Sequence, residues 1–285
     1  MTAMIEMRGV SKSFKQTKAL DNVSFTAQPG RIMGLIGPNG AGKTTALRAI
    51  LGLTNYEGEL KVLGLDPYRE RDRLMQDVCF IADVAVLPGW LRVHQAVRFV
   101  AGVHPRFRPD RAEEFLSRTA IKRSSRVREL SKGMITQLHL ALVMAIDARL
   151  LVLDEPTLGL DIIYRKQFYE TLLSDYFDHE RTILLTTHQV EEVENILTDL
   201  LFIDRGRIVL DSSMEDVAAN FVQLTVNPDH VAAARELKPF YEREVFGRTV
   251  MFFQNATADA LRRLGEAHTP SVADLFVAKI KGAIA

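Results

Sequence analysis

The stretch Gly37-Pro38-Asn39-Gly40-Ala41-Gly42-Lys43-Thr44-Thr45 decides how this 285-residue chain is read, because it fits G-x-x-x-x-G-K-[ST]. Glycines let successive backbone N–H groups point inward at phosphate oxygens, a lysine adds a mobile positive charge, and a hydroxyl completes a Mg2+ shell. The pattern alone also fits a Gly-rich turn, so the flanks have to decide. Residues 30–36 (GRIMGLI) read as a strand entering the loop, and Leu47, Ile50 and Leu51 give the i, i+3, i+4 stripe of a helix leaving it. That order places a helix N-terminus, with its attraction for anions, at the phosphates. Gly37, Pro38, Asn39, Gly40, Ala41, Gly42, Lys43, Thr44 and Thr45 are therefore the first candidate nucleotide-binding residues, with Thr44 also a metal ligand.

Bulk properties exclude several classes. Lys plus Arg and Asp plus Glu both number 36, so the formal charge is zero and charge balance suggests no nucleic acid. Cys79 is the one cysteine, which leaves no intramolecular disulfide framework or Cys-based metal cage. It reads as a small buried apolar side chain in a reducing compartment. No apolar run of signal-peptide length opens the sequence, and nowhere do about 18 apolar residues run without charge. The expectation is a soluble chain that does not itself cross a membrane.

Along the chain, residues 1–36 alternate apolar and polar, with Ile5, Met7, Val10, Val23 and Phe25 suggesting an antiparallel layer. From about residue 70 to 148 the pattern is helical, as in Val97, Val100 and Ala101, and it is interrupted by Pro105 and Pro109. Residues 150–153 and 182–185 are uninterrupted apolar runs, typical of parallel strands covered on both faces. Residues 200–203 and 208–210 flank Asp204-Arg205-Gly206-Arg207 as a hairpin, and the main domain is expected to end near residue 211. Residues 212–285 read as a small separate unit with strands at 224–226 and 249–253 and a helix at 258–264. There Ser271-Val272-Ala273-Asp274 fits a capping box opening a last helix, with Val272, Leu275, Phe276 and Ile280 on one face.

Three further elements carry chemistry. The run 150–153 ends in Asp154-Glu155, and strand tips opening onto a crevice are where parallel sheets place function. Asp154 would hold Mg2+ through water and Glu155 would polarise an attacking water; the alternative is an acidic strand boundary or helix cap. Leu130-Ser131-Lys132-Gly133-Met134 precedes an apolar run, so Ser131 reads as an N-cap whose hydroxyl and neighbouring N–H groups also suit an anion. Thr186-Thr187-His188 puts His188 at the carboxyl end of a strand, in position for a phosphate contact.

In this order, these four elements resemble the nucleotide-binding subunit of ATP-binding cassette (ABC) transporters over roughly residues 1–211, and Pro270-Ser271-Val272-Ala273-Asp274-Leu275-Phe276 resembles the end of single-cassette subunits of the bacterial, export-like type. The 37–45 loop resembles the Walker A motif and residues 130–134 the family's signature segment. Asp154 and Glu155 resemble the Walker B aspartate and catalytic glutamate, Leu158-Gly159-Leu160-Asp161 the D-loop, and His188 the switch histidine. Phe14 falls where family members stack an aromatic on adenine; the alternative is a core aromatic.

The implied fold is α/β, a P-loop NTPase with a mixed sheet core, an N-terminal antiparallel β layer, a helical subdomain over about 84–148 and a small α+β C-terminal extension. The implied activity is ATP hydrolysis with Mg2+, catalysed by Glu155 and His188. It would take place in a head-to-tail dimer whose Ser131 and Gly133 close over the partner's ATP. Implied partners are a second copy and separate membrane-spanning permease subunits, and the implied location is the cytoplasmic face of the inner or plasma membrane. The C-terminal unit is expected to hold two copies together through the apolar face of its last helix, with packing inside one chain as the alternative.

The sequence departs from the family pattern at several positions. Asp83 stands where the family has a glutamine near Mg2+ and the attacking water, and an aspartate also ligates Mg2+. Lys132 and Met134 replace the usual Gly and Gln of the signature. Between Arg92 and Lys132, eleven Lys or Arg against four Asp or Glu give net +7, a solvated face or one near anionic headgroups. Trp90 is either a packing anchor for the membrane partner or a core residue. Two other functions stay open: a soluble cassette acting on ribosomes or DNA, and a catalytically weak regulatory cassette. Only 88 residues separate Lys43 from Ser131, which leaves no room for the long coiled-coil arm of the former. Intact Lys43, Asp154, Glu155 and His188 argue against the latter.

Overall fold

The computed structural model describes residues 2–81, 87–158, 162–178 and 180–282. Strands β1 (Ile5–Phe14) and β2 (Thr17–Ala27) pair antiparallel, as their alternating pattern requires. β3 (Ile32–Ile36) is buried along its whole length and leads through the Gly-rich loop into α1 (Lys43–Ile50), after which β4 (Glu57–Val62) returns to pair with β1. A single turn of helix, α2 (Arg71–Leu74), precedes β5 (Val78–Ile81). The stretch from 70 onward is thus helical for only one turn before a strand interrupts it. Val78, Cys79 and Ile81 form a buried apolar run too short for a helix, and they pair in parallel with the strand ending at Asp154.

The helical region follows with α3 (Val93–Val103), α4 (Pro109–Ser117) and α5 (Lys132–Met144). Pro109 opens α4 at its first position, where a missing N–H costs nothing. The sheet then resumes with β6 (Leu150–Asp154), α6 (Ile162–Thr171), β7 (Thr182–Thr187), β8 (Asp199–Asp204) and β9 (Arg207–Ser213). The main sheet has the order β5-β6-β7-β3-β8-β9, parallel except for the β8–β9 hairpin.

Because strand side chains alternate, this sheet feeds two cores. Leu150 and Val152 join the antiparallel layer and α1, while Leu151 and Leu153 face the helical region. Full burial on both faces explains why these strands read as unbroken apolar runs. No helix among the described residues is long and apolar enough to cross a membrane.

β9 runs to Ser213, two residues past the expected boundary at 211. Then come α7 (Met214–Asn220), β10 (Phe221–Val226), α8 (Val231–Glu236), β11 (Tyr241–Val245), β12 (Arg248–Gln254), α9 (Ala258–Leu261), β13 (Gly265–His268) and α10 (Val272–Gly282). The small sheet has four antiparallel strands in the order β11-β12-β10-β13. The two strands not expected, β11 and β13, are its edges, where charged residues replace the apolar run.

α10 takes the second of the two arrangements expected for it, packing inside one chain. Ser271 caps it as expected, its Oγ accepting the Asp274 N–H at 3.1 Å. Its apolar face is used inside the chain. Val272 and Leu275 are buried in the same core as Leu151 and Phe202, and Phe276 meets Phe202 edge-to-face at 5.1 Å. Burial there removes large apolar side chains from water without a second copy.

Candidate functional site

The loop after β3 curls around a cleft of ≈ 510 Å3 lined by Pro38, Asn39, Gly40, Ala41, Gly42, Lys43, Thr44 and Thr45 together with Asp154, Glu155 and His188. Leu158, the first residue of the D-loop-like segment, and Ala19, which carried no signal in sequence, complete the lining. The loop's shape depends on Gly42. Its φ is +112°, and a Cβ there would stand 2.5 Å from the Ala19 carbonyl oxygen, so both backbone angle and space require glycine.

Lys43 is 7% exposed. Its Nζ donates to the Gly37 carbonyl at 2.6 Å and the Pro38 carbonyl at 3.3 Å, and lies 3.8 Å from Glu155 Oε1. Burial lowers its pKa, a shift that nearby Glu155 and Asp154 oppose. The ammonium is therefore short of solvent and pre-positioned for an anion.

Asp154 and Glu155 leave the same strand in different directions. Asp154 is buried and accepts a 2.7 Å hydrogen bond from the Thr186 hydroxyl on β7. Glu155 adopts φ +49°, a left-handed conformation uncommon outside glycine that is held only where surrounding contacts over-determine it. Here its N–H donates to both Thr186 O at 3.2 Å and Thr186 Oγ1 at 3.1 Å. Its carboxylate reaches His188 Nδ1 at 2.9 Å. His188, 39% exposed at the tip of β7, thus touches both the acid and the cleft.

The donor set of Thr44 hydroxyl and Asp154 carboxylate is hard oxygen, as Mg2+ prefers, and both line the cleft. No group of three or more His, Cys, Asp or Glu poised for a metal occurs among the described residues, so their share of such a shell is small. That suits Mg2+, which keeps waters and takes phosphate oxygens. Asp83, the remaining expected metal ligand, and residues 159–161 of the Leu158-Gly159-Leu160-Asp161 segment lie outside the described residues.

Ser131 and Gly133 do not line the cleft. Ser131 caps α5, its Oγ accepting the Met134 N–H at 3.2 Å, and it is exposed. Phe14, at the end of β1, is 46% exposed with Lys12 Nζ 5.1 Å from its ring centre. It is therefore not a core residue, and it is not part of the cleft wall either. Trp90 is 68% exposed, which removes the core reading for it as well. Cys79 is buried and its thiol is pushed up to about 12 by that burial, as expected of an inert packing residue.

Some of the basic residues of the helical region are paired with its own acids, which the net +7 already counts. Arg108 pairs with Asp110, Arg118 with Glu114 and Arg123 with Glu113.

Comparisons with known proteins agree with this arrangement. Residues 20–158 match the family model described as ABC transporter. The chain is 33% identical to the Nod factor export ATP-binding protein I of Cupriavidus metallidurans, covering 93% of this chain and 90% of that one. Identity to the protein of the same name from Paraburkholderia xenovorans is 35%, over 88% and 86% of the two chains. Among solved structures, an ATP-binding subunit of an ABC transporter superposes with a TM-score of 0.67 at 24% identity, over 75% of this chain and 91% of that one. A nucleotide-free ATP-binding cassette from an ABC transporter gives 0.63 at 18% identity, over 74% and 92%; both establish the fold.

Proposed function

The chain belongs to the ATP-binding proteins of ABC transporters, and on that premise we propose that it hydrolyses ATP to drive export through separate membrane-spanning subunits. One observation carries this reading: Glu155 is held between Lys43 and His188, and all three line the cleft formed with the Gly-rich loop.

The loop N–H groups and Lys43 hold the β- and γ-phosphates. A water in line with the γ-phosphorus gives its proton to the Glu155 carboxylate as its oxygen bonds to phosphorus. The bond from phosphorus to the bridging oxygen then breaks with its electron pair, leaving ADP. His188 orients Glu155 and donates to the γ-phosphate. Thr44 and Asp154 would hold Mg2+, which when bound neutralises charge on the phosphate oxygens. Asp83 is carried as a further ligand on sequence grounds.

Ser131 and Gly133, which face no nucleotide within their own chain, complete the site of a second copy in a head-to-tail pair. Closure and reopening of that pair move the membrane subunits at the cytoplasmic face. Export is favoured because the relatives at 33% and 35% identity are named for export.

Glu155→Gln removes the proton acceptor while keeping size and hydrogen bonding. Turnover should fall by about 10²–10⁴-fold, with ATP affinity kept and an ATP-dependent dimer accumulating in light scattering. A steady-state rate near that of the parent would remove Glu155 from the mechanism. Purification from membranes should recover a multi-spanning protein, whereas recovery of ribosomes or DNA would overturn the transporter assignment.

A further inference from the structure

Two neighbouring side chains in the first turn of α6 reach in different directions. Tyr164 lies across Gly133. A Cβ built on Gly133 would fall well inside van der Waals contact with the ring, and even Cε1, the farthest of its three nearest atoms, is 2.7 Å away. Gly133 is buried, although it sits at the exposed N-terminus of α5. With the distal end of the ring that close, any larger residue at this position requires Tyr164 to move.

Arg165, the next residue, hydrogen-bonds to Gln189 and ion-pairs with Glu192, on the segment directly after His188. This pair is only 20% and 24% exposed, unlike the surface pairs of the helical region. The second Glu192 oxygen is buried with no partner among the described residues. Glu192 therefore leans on Arg165 for compensation of its charge, and losing the guanidinium would leave a carboxylate stranded.

We propose that the first turn of α6 links the two nucleotide sites, with Tyr164 seating Gly133 for the partner's ATP and Arg165 seating the segment that carries His188 at the chain's own ATP. Both are positioning residues. A shift of His188 toward a γ-phosphate pulls on Gln189 and Glu192, and Arg165 carries that displacement into α6. Tyr164 then sets the angle at which α5 presents Gly133 across the pair. Filling one site so favours closure over the other, and ATP hydrolysis becomes cooperative in ATP. The inference rests on the head-to-tail reading above.

The test uses the full chain and has two arms. In the Glu155→Gln background, ATP-driven dimerisation is followed by light scattering, and binding of a fluorescent ATP analogue to the monomer is measured beside it. Absence of a dimer in that background sinks the head-to-tail reading itself. If the dimer forms, Y164A should weaken it at least about tenfold with monomer binding unchanged within about twofold, and Y164F should match the parent. In the active chain, Y164A and R165A should each bring the Hill coefficient for ATP from above one to about one.

Gly133→Ala supplies an arm that does not depend on either single variant folding well. The added methyl should disable dimerisation, and Y164A in the same chain should restore part of it by removing the ring. A Y164A dimer as tight as the parent's, cooperativity unchanged in R165A, or no relief of G133A by Y164A would each overturn the linkage.

Discussion

The Lys43 side and the Ser131 side of the nucleotide machinery are built differently. Around Lys43, groups from four separate stretches of chain converge. The loop before α1, the tip of β6 and the tip of β7 meet in one cleft with Ala19 of β2, and Lys43, Asp154 and Glu155 each have partners there. Around Ser131, the polar groups stand at a helix start, and among the described residues the Ser131 hydroxyl makes the local cap to Met134. The Tyr164 ring lies against Gly133. One side is thus a formed cleft within a single chain, and the other is an exposed helix start that, in the proposed pairing, binds only when a second copy is brought to it. That asymmetry is the physical content of the proposed pairing of two copies.

The strongest blow to the comparison falls on the Lys43 side. Lys43→Ala removes a charge-assisted contact from a desolvated position. ATP affinity of the isolated chain, measured by calorimetry, should drop about 10- to 100-fold. Retained affinity would mean that the cleft does not bind phosphate through Lys43. Ser131→Ala probes the other side. Monomer affinity should stay within about twofold, while the ATP concentration needed to form the dimer rises about tenfold. Equal losses in both measurements would dissolve the distinction between the two sides.

The smallest expected effect sharpens where the Lys43 side ends. Phe14 is exposed and outside the cleft wall, so its contribution comes only from stacking on the base. Phe14→Ala should weaken ATP about two- to tenfold and leave tripolyphosphate binding untouched. Equal weakening of both ligands would assign the loss to β1 rather than to a base contact.

The parts of the site legible in sequence share a property: their chemistry is packed into a few consecutive residues. The loop 37–45 and the Asp154-Glu155 tip are legible because backbone conformation and residue type are specified locally. The apolar runs of β6 and β7 announce strands buried on both faces for the same reason. Phe14 and Trp90 were ambiguous because an aromatic side chain serves a core or a surface equally well, and only exposure separates the two. The edges of the C-terminal sheet were missed because Tyr241-Glu242-Arg243-Glu244-Val245 alternates charge with apolar residues and packs against α10 on one face only.

By itself, then, the sequence determined that a strand, a glycine-rich turn and a helix start meet at a phosphate site, since those contacts lie within about ten residues of one another. It also determined the acids at the end of β6 and the cap of α5. Only the tertiary structure decided that Glu155 is twisted into a left-handed conformation between Lys43 and His188, the latter just past the end of β7. The same holds for the Tyr164 ring on Gly133, and for the apolar face of α10, which is spent on Phe202 inside the chain. The physical reason is the same in each case. These choices depend on which distant surfaces come into contact, and a side chain's own character does not say which neighbour will bury it.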